Sequence, residues 1–173
     1  MNIYFDNNTL AEMVQAGINP ITALAGSEYV VSVTPDLANE YQQAVASENV
    51  SAAEKDLCRQ FLAAATERGI FGFSEAGGGY SGFDFGVRAS DGMAETLRSI
   101  KVTDRPGKAI PKNRTDAFLV ALAEGAVIIT NDTGRHFKQA RSAGQHVYSW
   151  GEISSGSAAP SEVARQIGAL LFR

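Results

Sequence analysis

The chain has 173 residues, 45% of them apolar, and a formal net charge of −4, which fits one domain able to bury one substantial core. Its single cysteine, Cys58, excludes an intramolecular disulfide and fits a reducing compartment. No apolar run approaches the roughly 18 residues of a membrane span, and no basic start precedes an apolar stretch, so a cytoplasmic protein with no secretory signal and no membrane partner is expected.

Asn2 to Phe5 predicts a first strand, closed by Asp6. Asn7 or Asn8 is placed to cap a helix through Leu10, Met13 and Val14, with Gly17 ending it. A short helix from Pro20 to Ala25 leads to Gly26, and the β-branched run Tyr29 to Val33 predicts a second strand. Thr34-Pro35 reads as a helix start, with Thr34 as N-cap and Pro35 at the first helical position. That helix sets Glu40 on the face of Leu37 and Tyr41 by its spacing. Ser51-Ala52-Ala53-Glu54 spells a capping box for a long helix with the apolar stripe Leu57, Cys58, Phe61 and Leu62.

The stretch from Gly69 to Gly86 breaks this rhythm. It holds seven glycines and five aromatics, Phe71, Phe73, Tyr80, Phe83 and Phe85, and reads as an insertion. A helix resumes from Asp91 to Ile100, followed by a basic loop from Lys101 to Lys112 with Pro106 and Pro111. Asn113 to Glu124 predicts an apolar helix stopped by Gly125. A buried strand over Ala126 to Thr130, a basic helix over Thr133 to Ala143 and a strand over His146 to Ser149 come next. Ser154 to Pro160 reads as a linker, and Ser161 to Phe172 as an amphipathic helix through Val163, Ile167, Leu170 and Leu171. Strands separated by helices predict an α/β fold in one domain spanning 1–173, with a central parallel sheet of four or five strands flanked by helices.

Four acidic residues fall at comparable places in that pattern. Asp6 and Asp132 follow strands, Asp116 opens a helix, and Glu40 lies in the helix after the second strand. In an open parallel sheet these ends share one edge, where ligands bind. Each residue alone is also explained as a helix cap or a surface acid, but those local explanations do not account for a common edge. Two carboxylates about 4 Å apart repel by about 4 kcal/mol at an effective dielectric near 20. A converged cluster therefore calls for a hard divalent cation, Mg²⁺ or Mn²⁺, with oxygen ligands. His136 and His146 lack a paired Cys motif of zinc spacing.

Charge is unevenly spread. Residues 1–100 carry 5 basic and 13 acidic side chains, whereas residues 101–141 carry 8 basic and 4 acidic. The basic segment contains Asp116 and Asp132, as a phosphodiester substrate would require. Lys112 and Arg114 flank Asp116 and are candidates to hold a phosphate, with Arg135, His136, Lys138 and Arg141 after Asp132. A solvated surface explains these charges equally well. Thr130 and Asn131 are candidates to orient Asp132 by hydrogen bonds and to line the substrate site, or to serve as routine turn residues. Gly77 to Gly82 matches G-x-G-x-x-G by spelling, but it neither follows a clear strand nor opens a helix, which rejects a dinucleotide site. A P-loop and a nucleophile elbow are missing from the sequence. Cys58, within a helix stripe, reads as core, and Asp6 lacks the second Asp of a phospho-aspartyl phosphatase.

The order and wording of these elements resemble the PIN-domain family of metal-dependent ribonucleases. The carriers are Tyr4-Phe5-Asp6-Asn7-Asn8, Glu40 after the second strand, Asn113-Arg114-Thr115-Asp116-Ala117 with Ala121 and Ala123, and Ile128-Ile129-Thr130-Asn131-Asp132 followed by Phe137. The resemblance covers most of the chain and departs from it around residues 69 to 108. It implies a Mg²⁺- or Mn²⁺-dependent endoribonuclease with Asp6, Glu40, Asp116 and Asp132 as metal ligands and catalytic residues, and RNA as substrate. It further implies the toxin of a toxin–antitoxin pair, with an antitoxin protein as partner; a second copy of the chain is a further candidate partner, suggested by the glycine- and aromatic-rich stretch. A non-catalytic PIN-like scaffold that binds RNA or a partner, and a nuclease acting on DNA or on nucleic-acid structure, are the alternatives. The insertion at 69–86 is expected to order against such a protein partner, the alternative being that its aromatics pack on their own domain. It carries Glu75 and Asp84 but no Lys or Arg, which disfavours RNA.

Overall fold

The structure, a computed structural model, describes residues 1–67, 69–71, 86–88, 90–100, 113–154 and 160–171. Its core is an all-parallel sheet in the order β3-β2-β1-β6-β7. The strands are β1 (Asn2–Phe5), β2 (Val30–Val33), β3 (Thr66–Glu67), β6 (Val127–Ile129) and β7 (Val147–Tyr148). The expected α/β architecture is therefore present, with four central strands and the two-residue β3 extending them beside β2. A separate parallel pair, β4 (Gly69–Phe71) and β5 (Gly86–Arg88), brackets the expected insertion. Residues 72–85, the interior of that insertion, lie outside the described residues.

The two middle strands, β1 and β6, are buried on both faces, as parallel strands between helices must be. Ile3, Tyr4, Phe5, Val127, Ile128 and Ile129 are all inaccessible to solvent. Register pairs Tyr4 with Ile128 and Phe5 with Ile129, so β1 and β6 end side by side. Beyond them the Asp6 N–H donates to the Ile129 carbonyl at 2.8 Å. The chain leaves β1 for β2 on one side and returns through β6 to β7 on the other. The β1–β6 boundary is thus a switch point, the usual ligand crevice of such sheets.

Helices α1 (Leu10–Gln15), α2 (Pro20–Ala23), α3 (Pro35–Ala46), α4 (Ala52–Ala64), α5 (Asp91–Ser99), α6 (Arg114–Leu122), α7 (Arg135–Ser142), α8 (Trp150–Ser154) and α9 (Pro160–Leu171) complete the described fold. Local signals placed several of them correctly. The Thr34 hydroxyl accepts from the Leu37 N–H at 3.1 Å, and Ser51 and Glu54 form the full capping box. Gly17 ends its helical segment in the left-handed region, where only glycine is free of Cβ strain.

Other local expectations give way. Asn7 and Asn8 do not cap α1; with Thr9 they form a single 3-10 turn. Thr9, at the α1 N-cap position, donates its hydroxyl to the Asp6 carbonyl at 2.7 Å instead. The linker expected from Ser154 follows an unforeseen helix, α8, and residues 155–159 lie outside the described residues. The basic loop from 101 to 112, including Lys112, lies outside them too. Among the described residues no helix is long and apolar enough to cross a membrane.

Candidate functional site

Two helices, α3 and α6, and the ends of two strands, β1 and β6, bring the four acids to one edge of the sheet. Asp6 is buried directly after β1. Glu40 is carried by α3, and α3 is fixed to β1 by Tyr41, whose hydroxyl donates to the Phe5 carbonyl. The Tyr41 ring packs on Phe61 of α4 with centroids 5.2 Å apart, and Phe61 packs on Phe5 at 5.7 Å. One residue before Tyr41, Glu40 is thus held near Asp6. Asp116 lies in the first turn of α6, and Asp132 in the loop between β6 and α7.

Neighbouring hydroxyls orient two of these carboxylates. Thr130 donates to Asp6 Oδ2 at 2.7 Å. Thr115, next to Asp116, donates to Glu40 Oε1 at 2.6 Å. Thr115 stands in the Asn113–Ala117 motif that carries the resemblance, but nothing local in the sequence assigns it a role at the site. Asp132 is engaged differently: its Oδ1 accepts from the Gly134 N–H at 2.5 Å. The helix-cap role weighed for Asp132 is not filled, since Gly134 holds the N-cap position of α7; the bond instead closes a turn before it. The Asp132 N–H donates to Thr130 Oγ1 at 3.0 Å. Asn131 accepts at Oδ1 from the Trp150 N–H at 3.1 Å, and its N–H donates to Asn8 Oδ1 at 3.0 Å. Thr130 and Asn131 are thus bonded within the protein and tie the Asp132 loop to Asp6 and to α8.

The electrostatics show a shared field. Burial is the largest influence on Asp6 and pushes its carboxyl up to about 6; Thr130 opposes this, and the charges of Asp116 and Asp132 add to it. Burial likewise lifts Glu40 to about 7, opposed by Thr115 and reinforced by Asp6, Asp116 and Asp36. Asp6 thus feels the charges of Asp116 and Asp132, and Glu40 those of Asp6 and Asp116. Among the described residues, however, no three His, Cys, Asp or Glu side chains stand at metal-ligand spacing. Burial pushes the Cys58 thiol up to about 11, which agrees with Cys58 as core and leaves no thiolate nucleophile at neutral pH.

The cations divide into two groups. Arg114, expected to hold a phosphate, is instead engaged by Asp36 of α3: its Nε donates to Oδ2 at 2.7 Å and its Nη2 to Oδ1 at 2.5 Å. With Thr115 bonded to Glu40, this pair sets the register of α6 on α3. Arg141 donates to backbone carbonyls of the Asp132 loop. Arg135 and Lys138 are exposed on α7. With Gln139 and Ser142 they line an open groove of about 420 Å³. His136 faces a different groove, between α5 and α7.

The raised carboxyls have a consequence for stability. In the folded chain Asp6 and Glu40 keep their protons to higher pH than in the unfolded chain. Between their unfolded and folded values the native state binds more protons, so stability falls as pH rises from about 4 to about 7. For Asp6, moved from 3.8 to about 6, the penalty is about 3 kcal/mol above that window. We predict that Asp6→Asn, without divalent metal, melts higher than the unsubstituted chain at pH 8 and equally at pH 4. A variant melting lower at pH 8 would show that Asp6 is not held at a charge penalty.

No protein-family model, no curated protein and no solved structure matches the chain.

Proposed function

We propose that this chain is a PIN-like ribonuclease that hydrolyses RNA phosphodiester bonds with Mg²⁺ or Mn²⁺ held by Asp6, Glu40, Asp116 and Asp132. One observation carries the reading. Two carboxylates at the switch point of the sheet, Asp6 after β1 and Glu40 on α3, are lifted to about 6 and about 7, first by burial and then by neighbouring charges: Asp116 and Asp132 on Asp6, and Asp6, Asp116 and Asp36 on Glu40. Such a set is stabilised by a neighbouring cation. The donors are all carboxylate oxygens, with no thiolate or imidazole among them, which suits a hard divalent ion over zinc.

When bound, such an ion supplies a water of lowered pKa and neutralises phosphate charge. The chain's own groups do the rest. Thr130 and Thr115 fix the orientation of Asp6 and Glu40 through one hydroxyl each, the kind of support that ligands of a metal receive. Arg135 and Lys138 offer positive charge to the RNA backbone beside the Asp132 loop. The toxin role and an antitoxin partner belong to this proposal through the family resemblance alone. A second reading, a PIN-like scaffold that binds RNA or a partner without cutting it, is favoured by one observation: among the described residues the acids are not at ligand spacing.

Thermal melting in Mn²⁺, Mg²⁺ and EDTA separates the two. At about 100 times its dissociation constant, an ion that binds only the native state adds about 2.7 kcal/mol. The ribonuclease reading predicts a rise with Mn²⁺ or Mg²⁺, reversal by EDTA, and RNA cleavage under the same conditions. Absence of any shift at millimolar metal favours the scaffold.

A further inference from the structure

We infer that Arg141 is a positioning residue: its guanidinium braces the loop between β6 and α7 and so sets where the Asp132 carboxylate stands. This rests on the ribonuclease reading for its consequence, though not for its geometry. Arg141 sits in the last turn of α7. Its Nη2 donates to the Thr130 carbonyl at 2.9 Å and its Nη1 to the Asp132 carbonyl at 3.0 Å. Both carbonyls lie past β6, which ends at Ile129. The planar fork of a guanidinium satisfies two acceptors at once, whereas an ammonium is a single point of charge.

The rest of the loop backbone is fastened from other directions. The Asn131 N–H is taken by Asn8 Oδ1, the Asp132 N–H by Thr130 Oγ1 and the Gly134 N–H by Asp132 Oδ1. Arg141 is the group that holds the carbonyl side. Its guanidinium spans the 130–131 and 132–133 peptide units, the second of which directly follows the Asp132 side chain. It also separates Arg141 from Arg135 and Lys138 on the same helix, which line the open groove. Among these three cations, Arg141 acts on the protein and not on the phosphates.

Arg141→Lys keeps the charge and removes the fork. Arg141→Ala removes both, and Arg135→Ala is the control on the open groove. Three quantities are measured: amide exchange at 131–134, Mn²⁺ affinity, and the salt dependence of binding to a single-stranded RNA. We expect faster exchange at Asp132 and Gly134 in Arg141→Lys, Mn²⁺ affinity lower by about 10–100-fold, and an unchanged RNA salt slope. Arg135→Ala should lower that slope by about one and leave exchange and Mn²⁺ affinity alone. Exchange and Mn²⁺ affinity unchanged in Arg141→Lys would overturn the brace. So would an Arg141→Ala chain whose only change is a lower salt slope, because Arg141 would then be a phosphate contact. If the unsubstituted chain binds no Mn²⁺, the ribonuclease reading fails. The exchange result then decides the brace alone: faster exchange upholds it, and unchanged exchange removes it. Arg141→Lys suffices if Arg141→Ala does not fold.

Discussion

If the chain is the ribonuclease proposed above, Asp116→Asn is expected to lower RNA cleavage by about 100- to 1,000-fold or more while leaving the fold intact, because it would remove one charge at the proposed reacting centre. Asp116 lies at the start of α6 and is half-exposed, so an amide of nearly the same shape does not disturb the core. Asp6→Asn and Asp132→Asn should behave alike. Glu40→Gln should lower activity too, and it keeps an acceptor for the Thr115 hydroxyl. A cleavage assay with circular dichroism on the same samples separates loss of chemistry from loss of fold. Cleavage at the unsubstituted rate in Asp116→Asn would remove it from the metal centre.

The second large effect falls on stability. Asp36→Ala leaves the Arg114 guanidinium without its carboxylate in a site where the two side chains are 12% and 3% exposed. Breaking a buried pair from one side costs about 3–5 kcal/mol, chiefly through the uncompensated charge. Replacing both residues by leucine should recover much of that loss, since neither charge then remains. Denaturant unfolding of Asp36→Ala, Arg114→Ala and the double leucine variant measures this. A loss below about 0.5 kcal/mol in Asp36→Ala would mean that the pair is solvated like an ordinary surface pair.

How much of this was legible follows the range of each interaction. The strand ending at Asp6, the Thr34-Pro35 start and the Ser51–Glu54 capping box are written within a few residues, and the structure has all three. The common edge of the acids also follows from sequence, through the parallel sheet that alternating strands and helices imply. The partners of the arginines do not. Arg114 meets Asp36 across 78 positions, and no local pattern announces that a basic residue beside an acidic one serves a different helix. Arg141 looks like any cation on a basic helix until its carbonyl partners are known. Thr115 and Asn8 enter the site through contacts 75 and 123 positions away. The two-residue β3 and the five-residue α8 are too short for periodicity to register.

Direct Mn²⁺ titration by calorimetry, on the unsubstituted chain beside Asp6→Asn and Asp116→Asn at pH 7.5 (a value chosen to lie above about 7, where Glu40 is ionised), tests the central claim most directly. The account predicts saturable binding in the unsubstituted chain, proton release from Asp6 or Glu40 as the pH is lowered toward 6, and binding weakened or lost in both variants. Saturable binding that survives unchanged in both variants, or no binding at millimolar Mn²⁺, would contradict it.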